Sequence, residues 1–252
     1  MSKSNFVIKN IVISAAADGI GWCIASFFIE QGHTVFLSDI NQQKINEIKK
    51  HPLFNKRIFI ENINASDPGS VKKYFESLTN KLSSIDALIN NVGIAGPTGV
   101  MEDLSIDDWK QTIDINLTAP FHLSQLVAES MKKNNWGRII NIASLQSLRA
   151  FDNSIPYGAS KGGIMQLTRA LAQAYSKDGI LVNAIAPGFF RTNLTESLFQ
   201  DPDKLKTLAD KTMMGRNGEE KDIFGISVFL CSEANSYVTG QTIFLDGGFS
   251  AA

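Results

Sequence analysis

Along the whole chain, short runs rich in Ile, Val, Leu and Phe alternate with longer stretches of helical period, and this alternation constrains the fold more than any other feature. Strand-length runs lie near Ile11–Ser14, Thr34–Asp39, Arg57–Asn62, Asp86–Asn90, Gly137–Ala143, Leu181–Ala186 and Gln241–Leu245. The segments between them carry helix signals such as Asp67-Pro68, a capping carboxylate followed by a ring that suits a first helical turn. Strand, helix and strand in succession fold into parallel pairs with the helix crossing over a face. The expectation is an α/β fold, doubly wound, with a seven-stranded mostly parallel sheet and helices on both faces. No Pro/Gly/Ser-rich linker, repeat or low-complexity tract interrupts the pattern, so residues 1–252 are expected to form one domain. One stretch stands apart: Phe189 to Asn217 mixes Phe, Leu and Met with polar residues, contains Asp201-Pro202, and reads as an irregular lid.

Composition excludes several classes of function. With 44% hydrophobic and 19% charged residues the chain has the apolar groups that a disordered protein lacks. Its 24 Lys and Arg are interspersed with 25 Asp and Glu for a net charge of -1, which leaves no basic field for a phosphate backbone and makes nucleic acid an unexpected partner. Met1-Ser2-Lys3-Ser4-Asn5 leads into an apolar run broken by Lys9 and Asn10, too short and polar for a signal sequence or a membrane span, so a cytoplasmic location is expected. Cys23 and Cys231 sit in apolar helical stretches without metal-like spacing, which reads as core, with neither disulfide nor metal.

Ser14-Ala15-Ala16-Ala17-Asp18-Gly19-Ile20-Gly21 follows the first strand and opens a helix. In that setting glycines let the backbone approach a pyrophosphate while free helix amides face it, although a tight turn that merely needs small residues would read the same way. About 20 residues further on, Asp39 ends the second strand. A carboxylate there accepts hydrogen bonds from both ribose hydroxyls of NAD and repels a 2′-phosphate. Asp18 has the same sign, and Ser38, Ile40 and Asn41 supply no guanidinium, so NAD(H) is favoured over NADP(H). The plainer alternative makes Asp39 a cap or turn residue.

Tyr157-Gly158-Ala159-Ser160-Lys161 begins a helical run, and i, i+4 spacing sets the phenol and the ammonium one turn apart on one face. A cation beside a phenol favours the phenolate and would bring a proton donor and acceptor toward working pH, whereas an isolated pair of this kind is an ordinary surface contact. Ser144 lies just past the strand Gly137–Ala143, at the carboxyl edge where parallel sheets place their ligands. Asn116, in Asp114-Ile115-Asn116-Leu117-Thr118, falls within an otherwise amphipathic helix, where an Asn is unfavourable unless its amide has a task, the alternative being a bond to neighbouring backbone.

Together these residues resemble the short-chain dehydrogenase/reductase family over nearly the whole chain and in the family's order. The glycine loop, Asn90-Asn91-Val92-Gly93 after the fourth strand, Asn116, Ser144, Tyr157 with Lys161, Pro187-Gly188 with Thr192, and Asp246-Gly247-Gly248 all fall where that family has its motifs. The resemblance implies a Rossmann-type fold and hydride transfer between nicotinamide and a substrate carbinol or carbonyl carbon. It implies that Tyr157 is the general acid/base, that Ser144 orients the reacting oxygen, that Lys161 tunes Tyr157 and binds the nicotinamide ribose, and that Asn116 holds a proton-relay water. It implies that Asn91 and Gly93, with Val92 between them, border the adenosine ribose, that Pro187, Gly188 and Thr192 border the nicotinamide, and that the assembly is a homotetramer.

Three departures stand out. Ala15 occupies the place of the family's first loop glycine, and a Cβ there costs about 1 kcal/mol if φ is positive. Asn64, beside Ala65, stands where an Asp commonly meets the adenine amino group, and Val92 replaces a frequent Ala. Substrate selection is expected from the lid and from Leu145–Pro156, where Gln146, Arg149 and Asn153 could grip hydroxyls or a carboxylate, with Arg149 alternatively solvated or at a subunit contact. The stretch from Ile142 to Gly163 most resembles gluconate 5-dehydrogenases and related sugar-acid or polyol dehydrogenases. Two other readings are a 3-oxoacyl-(acyl-carrier-protein) reductase, which suits a lid rich in Phe190, Leu194, Leu198, Phe199, Met213 and Met214, and a nicotinamide-sensing protein without turnover.

Overall fold

The strand-like runs assemble into one sheet. The computed structural model describes residues 9–192 and 195–252; the opening residues read above, and Leu194 of the lid, lie outside that range. Among the described residues seven strands pair in parallel: β1 (Asn10–Ser14), β2 (Thr34–Asp39), β3 (Ile58–Asn62), β4 (Ala87–Asn90), β5 (Gly137–Ile142), β6 (Ile180–Pro187) and β7 (Thr242–Leu245). Their order across the sheet is β3-β2-β1-β4-β5-β6-β7. Every expected run is a strand, with ends displaced by a residue or so; Ala143 lies beyond β5, and β6 extends to Pro187.

Helices α1 (Gly19–Glu30), α2 (Gln42–Lys50), α3 (Pro68–Lys81), α4 (Ile106–Ile113), α5 (Ala119–Lys133) and α6 (Ile155–Tyr175) fill the crossovers, followed by α7 (Glu196–Phe199), α8 (Pro202–Asp210) and α9 (Asp222–Cys231). Ile24, Phe28 and Ile29 of α1, Ile45 and Ile48 of α2, and Ile223, Leu230 and Cys231 of α9 pack on one face of the sheet. Val71, Phe75 and Leu78 of α3, Leu123, Val127 and Met131 of α5, and Leu171 of α6 pack on the other. The central strands β1, β2, β4, β5 and β6 are therefore buried on both sides, which is why they read as near-continuous aliphatic runs, while the edge strands β3 and β7 are more open. Both cysteines are buried, and burial pushes each thiol up to about 12. Among the described residues no helix is long and apolar enough to cross a membrane.

Two sequence expectations need correction. Phe189 to Asn217 is less irregular than expected, because it carries α7 and α8; Asp201-Pro202 starts α8, the Asp201 carboxylate accepting from the Lys204 N–H at 3.1 Å. Asn116 lies in a helical run as expected, but that run is not regular, because Asp114–Thr118 forms a π-helical turn between α4 and α5.

The chain reverses its direction of winding between β1 and β4, so the loops at their carboxyl ends part and leave a crevice there. A buried polar chain ties the strands flanking this crevice. Asn90 Nδ2 donates to Asn141 Oδ1 at 2.8 Å and to Ser124 Oγ at 3.0 Å, and Asn141 Nδ2 donates to Thr168 Oγ1 at 2.9 Å, linking β4, β5, α5 and α6.

Candidate active site

The crevice holds a cavity of about 270 Å³ at the carboxyl edge of the sheet. One end is walled by Asp18, Asp39, Asn41 and Lys44, the middle by Ala15, Gly19, Ile20, Asn91 and Gly93, and the other end by Ser144, Tyr157, Lys161, Pro187, Gly188 and Thr192. The loop after β1 is fixed from below. Ser14 Oγ accepts from the Asn91 and Val92 N–H groups at 3.1 and 3.2 Å, and Asn91 Nδ2 donates to the Ala15 carbonyl at 2.7 Å. Gly21 lies under this contact, where a Cβ would come within 2.5 Å of Asn91 Nδ2 and 2.6 Å of the Ala15 oxygen. Ala15 has φ of 50° and Gly19 φ of 54°, so the alanine that replaces a family glycine does occupy the left-handed region. Asp18 caps α1, accepting from the Gly19 N–H at 2.7 Å.

Asp39 makes the turn bonds of its plainer reading and also lines the cavity. Oδ2 accepts from the Ala17 N–H at 3.0 Å and Oδ1 from the Asn41 N–H at 2.9 Å, which fixes the carboxylate in the cavity wall. Each oxygen keeps a further acceptor site for a hydroxyl. Lys44 was not anticipated. Adjacency to Asp39 does not signal it, because Lys44 reaches the wall from the first turn of α2.

At the opposite end, Ser144 caps a short 3-10 turn, its Oγ accepting from the Gln146 N–H at 3.1 Å, and its hydroxyl shares the cavity wall with the Tyr157 phenol. Lys161 is buried; Nζ donates to the Ile142 carbonyl at 2.8 Å and lies 5.6 Å from the Tyr157 ring centre. Burial holds the Tyr157 phenol above its ordinary value, with the Ser144 hydroxyl pulling it down, and burial pushes Lys161 down to about 8. In the protein alone, burial therefore dominates the phenol, where the spacing had suggested that the cation would.

Asn116 stands behind this wall, fully buried, with its carboxamide engaged. Oδ1 accepts from the Ile94 N–H at 2.8 Å, and Nδ2 donates to the Ile94 carbonyl at 2.9 Å and to Ser160 Oγ at 3.0 Å. Both amide protons are engaged, and Oδ1 keeps one further acceptor site. Gly93 seals the junction, since a Cβ there would meet Lys161 Nζ at 3.3 Å and Asn116 Oδ1 at 3.5 Å.

Other expected site residues lie outside the cavity wall. Asn64 is exposed, and its Oδ1 accepts from the Ser66 N–H and Oγ; Ala65 and Val92 pack on the apolar core. Gln146 Oε1 accepts from Ser154 Oγ at 2.7 Å, Asn153 is exposed with its carbonyl taken by the Gly99 N–H, and Arg149 Nη2 donates to the carbonyls of Ser250 and Ala252 at 3.1 and 2.7 Å. Phe190 and Thr195 join the wall from the lid.

A family profile described as Enoyl-(Acyl carrier protein) reductase matches residues 15–250. The chain is 33% identical to 5-keto-D-gluconate 5-reductase of Escherichia coli strain K12, over 97% of this chain and 96% of the relative. It is 32% identical to a 3-oxoacyl-(acyl-carrier-protein) reductase of Thermotoga maritima, over 95% of this chain and 97% of the relative. The structure of a gluconate 5-dehydrogenase from Burkholderia cenocepacia, in complex with NADP and tartrate, superposes with a TM-score of 0.90 at 30% identity, covering 97% of this chain and 96% of that one. With its crevice, its Ser144, Tyr157 and Lys161 cluster and these kinships, the chain belongs to the short-chain dehydrogenase/reductase family, as an oxidoreductase acting on CH–OH groups.

Proposed function

We propose that the protein interconverts a secondary alcohol and a ketone on a sugar acid or polyol, with NAD(H) as its first cofactor. The observation that carries this reading is the convergence of Ser144, Tyr157 and Lys161 on one end of a cavity whose other end presents Asp39. The chain's surfaces suit a dinucleotide, because Gly19 brings backbone to the cavity without a side chain and the amino end of α1 opens onto the cavity. When bound, the nicotinamide supplies or accepts the hydride.

The chain's own residues do the rest. Tyr157 gives a proton to the reacting oxygen or takes one from it, Ser144 holds that oxygen in line, and Lys161 steadies the phenolate as it forms. Lys161 also borders the nicotinamide ribose, while Asn116 fixes Ile94 and Ser160 behind it. Asp39 accepts the ribose hydroxyls at the adenosine end, and the lid, residues 189–217, closes over the substrate. The sugar-acid reading draws on the E. coli relative and on the B. cenocepacia complex, whose tartrate is a hydroxy acid. A cytoplasmic homotetramer, as is usual in the family, completes the proposal.

A 3-oxoacyl thioester is the second reading, favoured by the near-equal kinship to the T. maritima reductase and by Met213 and Met214 standing exposed in the lid. A spectrophotometric panel of sugar acids, polyols and acetoacetyl thioesters, run in both directions with either cofactor, separates the two. Turnover of sugar acids that falls at least about 100-fold in Tyr157→Phe is the expected result; turnover of the thioester alone would replace the first reading with the second.

A further inference from the structure

We propose that Lys44 is a second determinant of cofactor choice, a mobile cation that receives a 2′-phosphate and so lets the cleft accept NADP(H) beside NAD(H). The proposal rests on the reading that the adenosine ribose lies at Asp39.

Lys44 shares the cavity wall with Asp39, Asn41 and Asp18. Its backbone is fixed, since its N–H donates to Asn41 Oδ1 at 3.1 Å in the first turn of α2. Its ammonium is held loosely, 3.6 Å from Asp18 Oδ2 and 3.2 Å from Glu47 Oε2, in pairs whose side chains are all more than a third exposed. Exposed pairs of this kind contribute little, so exchanging a carboxylate for another anion costs little.

A phosphate monoester carries about -1.5 to -2 charge and three acceptor oxygens, a stronger partner for an ammonium than a single carboxylate. The amino end of α2 adds positive partial charge on the same side. Without Lys44 the adenosine end would present Asp18 and Asp39 to a phosphate. With it, the same wall can offer Asp39 to a ribose hydroxyl or Lys44 to a phosphate.

Nucleotide fluorescence titrations of NADH and NADPH, on the wild type and on Lys44→Met and Lys44→Arg, test this directly. Binding of both nucleotides by the wild type is expected, with the ratio of NADPH to NADH dissociation constants rising about tenfold in Lys44→Met and returning toward the wild-type value in Lys44→Arg. NADPH binding should also weaken more steeply with salt than NADH binding, and Lys44→Met should lose that excess. An unchanged ratio in Lys44→Met, or wild-type binding of NADH without NADPH, would overturn the role of Lys44 and leave the assignment of the cleft intact. Failure of the wild type to bind either nucleotide would overturn the assignment itself and the proposal with it.

Discussion

Lys161 illustrates how one side chain couples chemistry to stability. Its ammonium is withdrawn from water against the Ile142 carbonyl, and its pKa falls from 10.5 to about 8. Between those values the unfolded chain keeps a proton that the folded one has released, so this group's contribution to stability increases as pH rises through that window. Below it, the buried charge is a constant penalty. Relative to wild type, Lys161→Met should therefore lose ground by roughly 3 kcal/mol between pH 7 and pH 10.5 in urea denaturation; a difference independent of pH would contradict a depressed Lys161. Ala15 poses the opposite case, a strained backbone that a smaller residue relieves. Ala15→Gly should raise stability by about 0.5–1 kcal/mol, since φ of 50° suits glycine, and a lower melting temperature would count against strain at that loop.

Elements were more legible in the sequence than the joints between them. Each strand is an aliphatic run bounded by turn residues, and Asp39 falls at the end of β2 as its spacing required. The π-helical turn at Asn116 carried no such signal, because it depends on Ile94 and Ser160, residues distant in sequence that draw the carboxamide inward. Asp201-Pro202 did carry a cap signal, which the surrounding mix of apolar and polar residues obscured. Removing the carboxamide tests the joint. Asn116→Ala strands the Ile94 N–H and carbonyl, while the Ser160 hydroxyl keeps its bond to the Tyr157 carbonyl at 2.7 Å, and should cost about 2–3 kcal/mol in chemical denaturation. Ser160→Ala removes one partner only and should cost about 1 kcal/mol. Equal losses would show that the turn is held by something else.

At the scale of the whole molecule, topology places every reactive group at one edge of the sheet, and that much followed from strand order and family likeness. Gln146, Arg149 and Asn153 did not follow, because this short loop is held by hydrogen bonds that spacing does not encode, some to residues distant in sequence. A ligand spanning the cavity touches loops after β1, β2, β4, β5 and β6 at once, so binding should stabilise the fold as a unit. NADH at 100 times its dissociation constant should contribute about 2.7 kcal/mol. That corresponds to roughly 5–10 °C in melting temperature for a domain of this size. A shift of less than one degree at that concentration would mean that the nucleotide does not bind the native fold selectively.

The hold of Arg149 on Ser250 and Ala252 joins the segment just after Ser144 to the last residues of the sequence. A change at Ser250 or Ala252 would therefore be felt in the loop that flanks the reactive hydroxyl. Kinetic constants of variants altered at these two positions would carry the mark of that change, and comparison with the wild type would reveal how far this distant segment governs the mouth of the site.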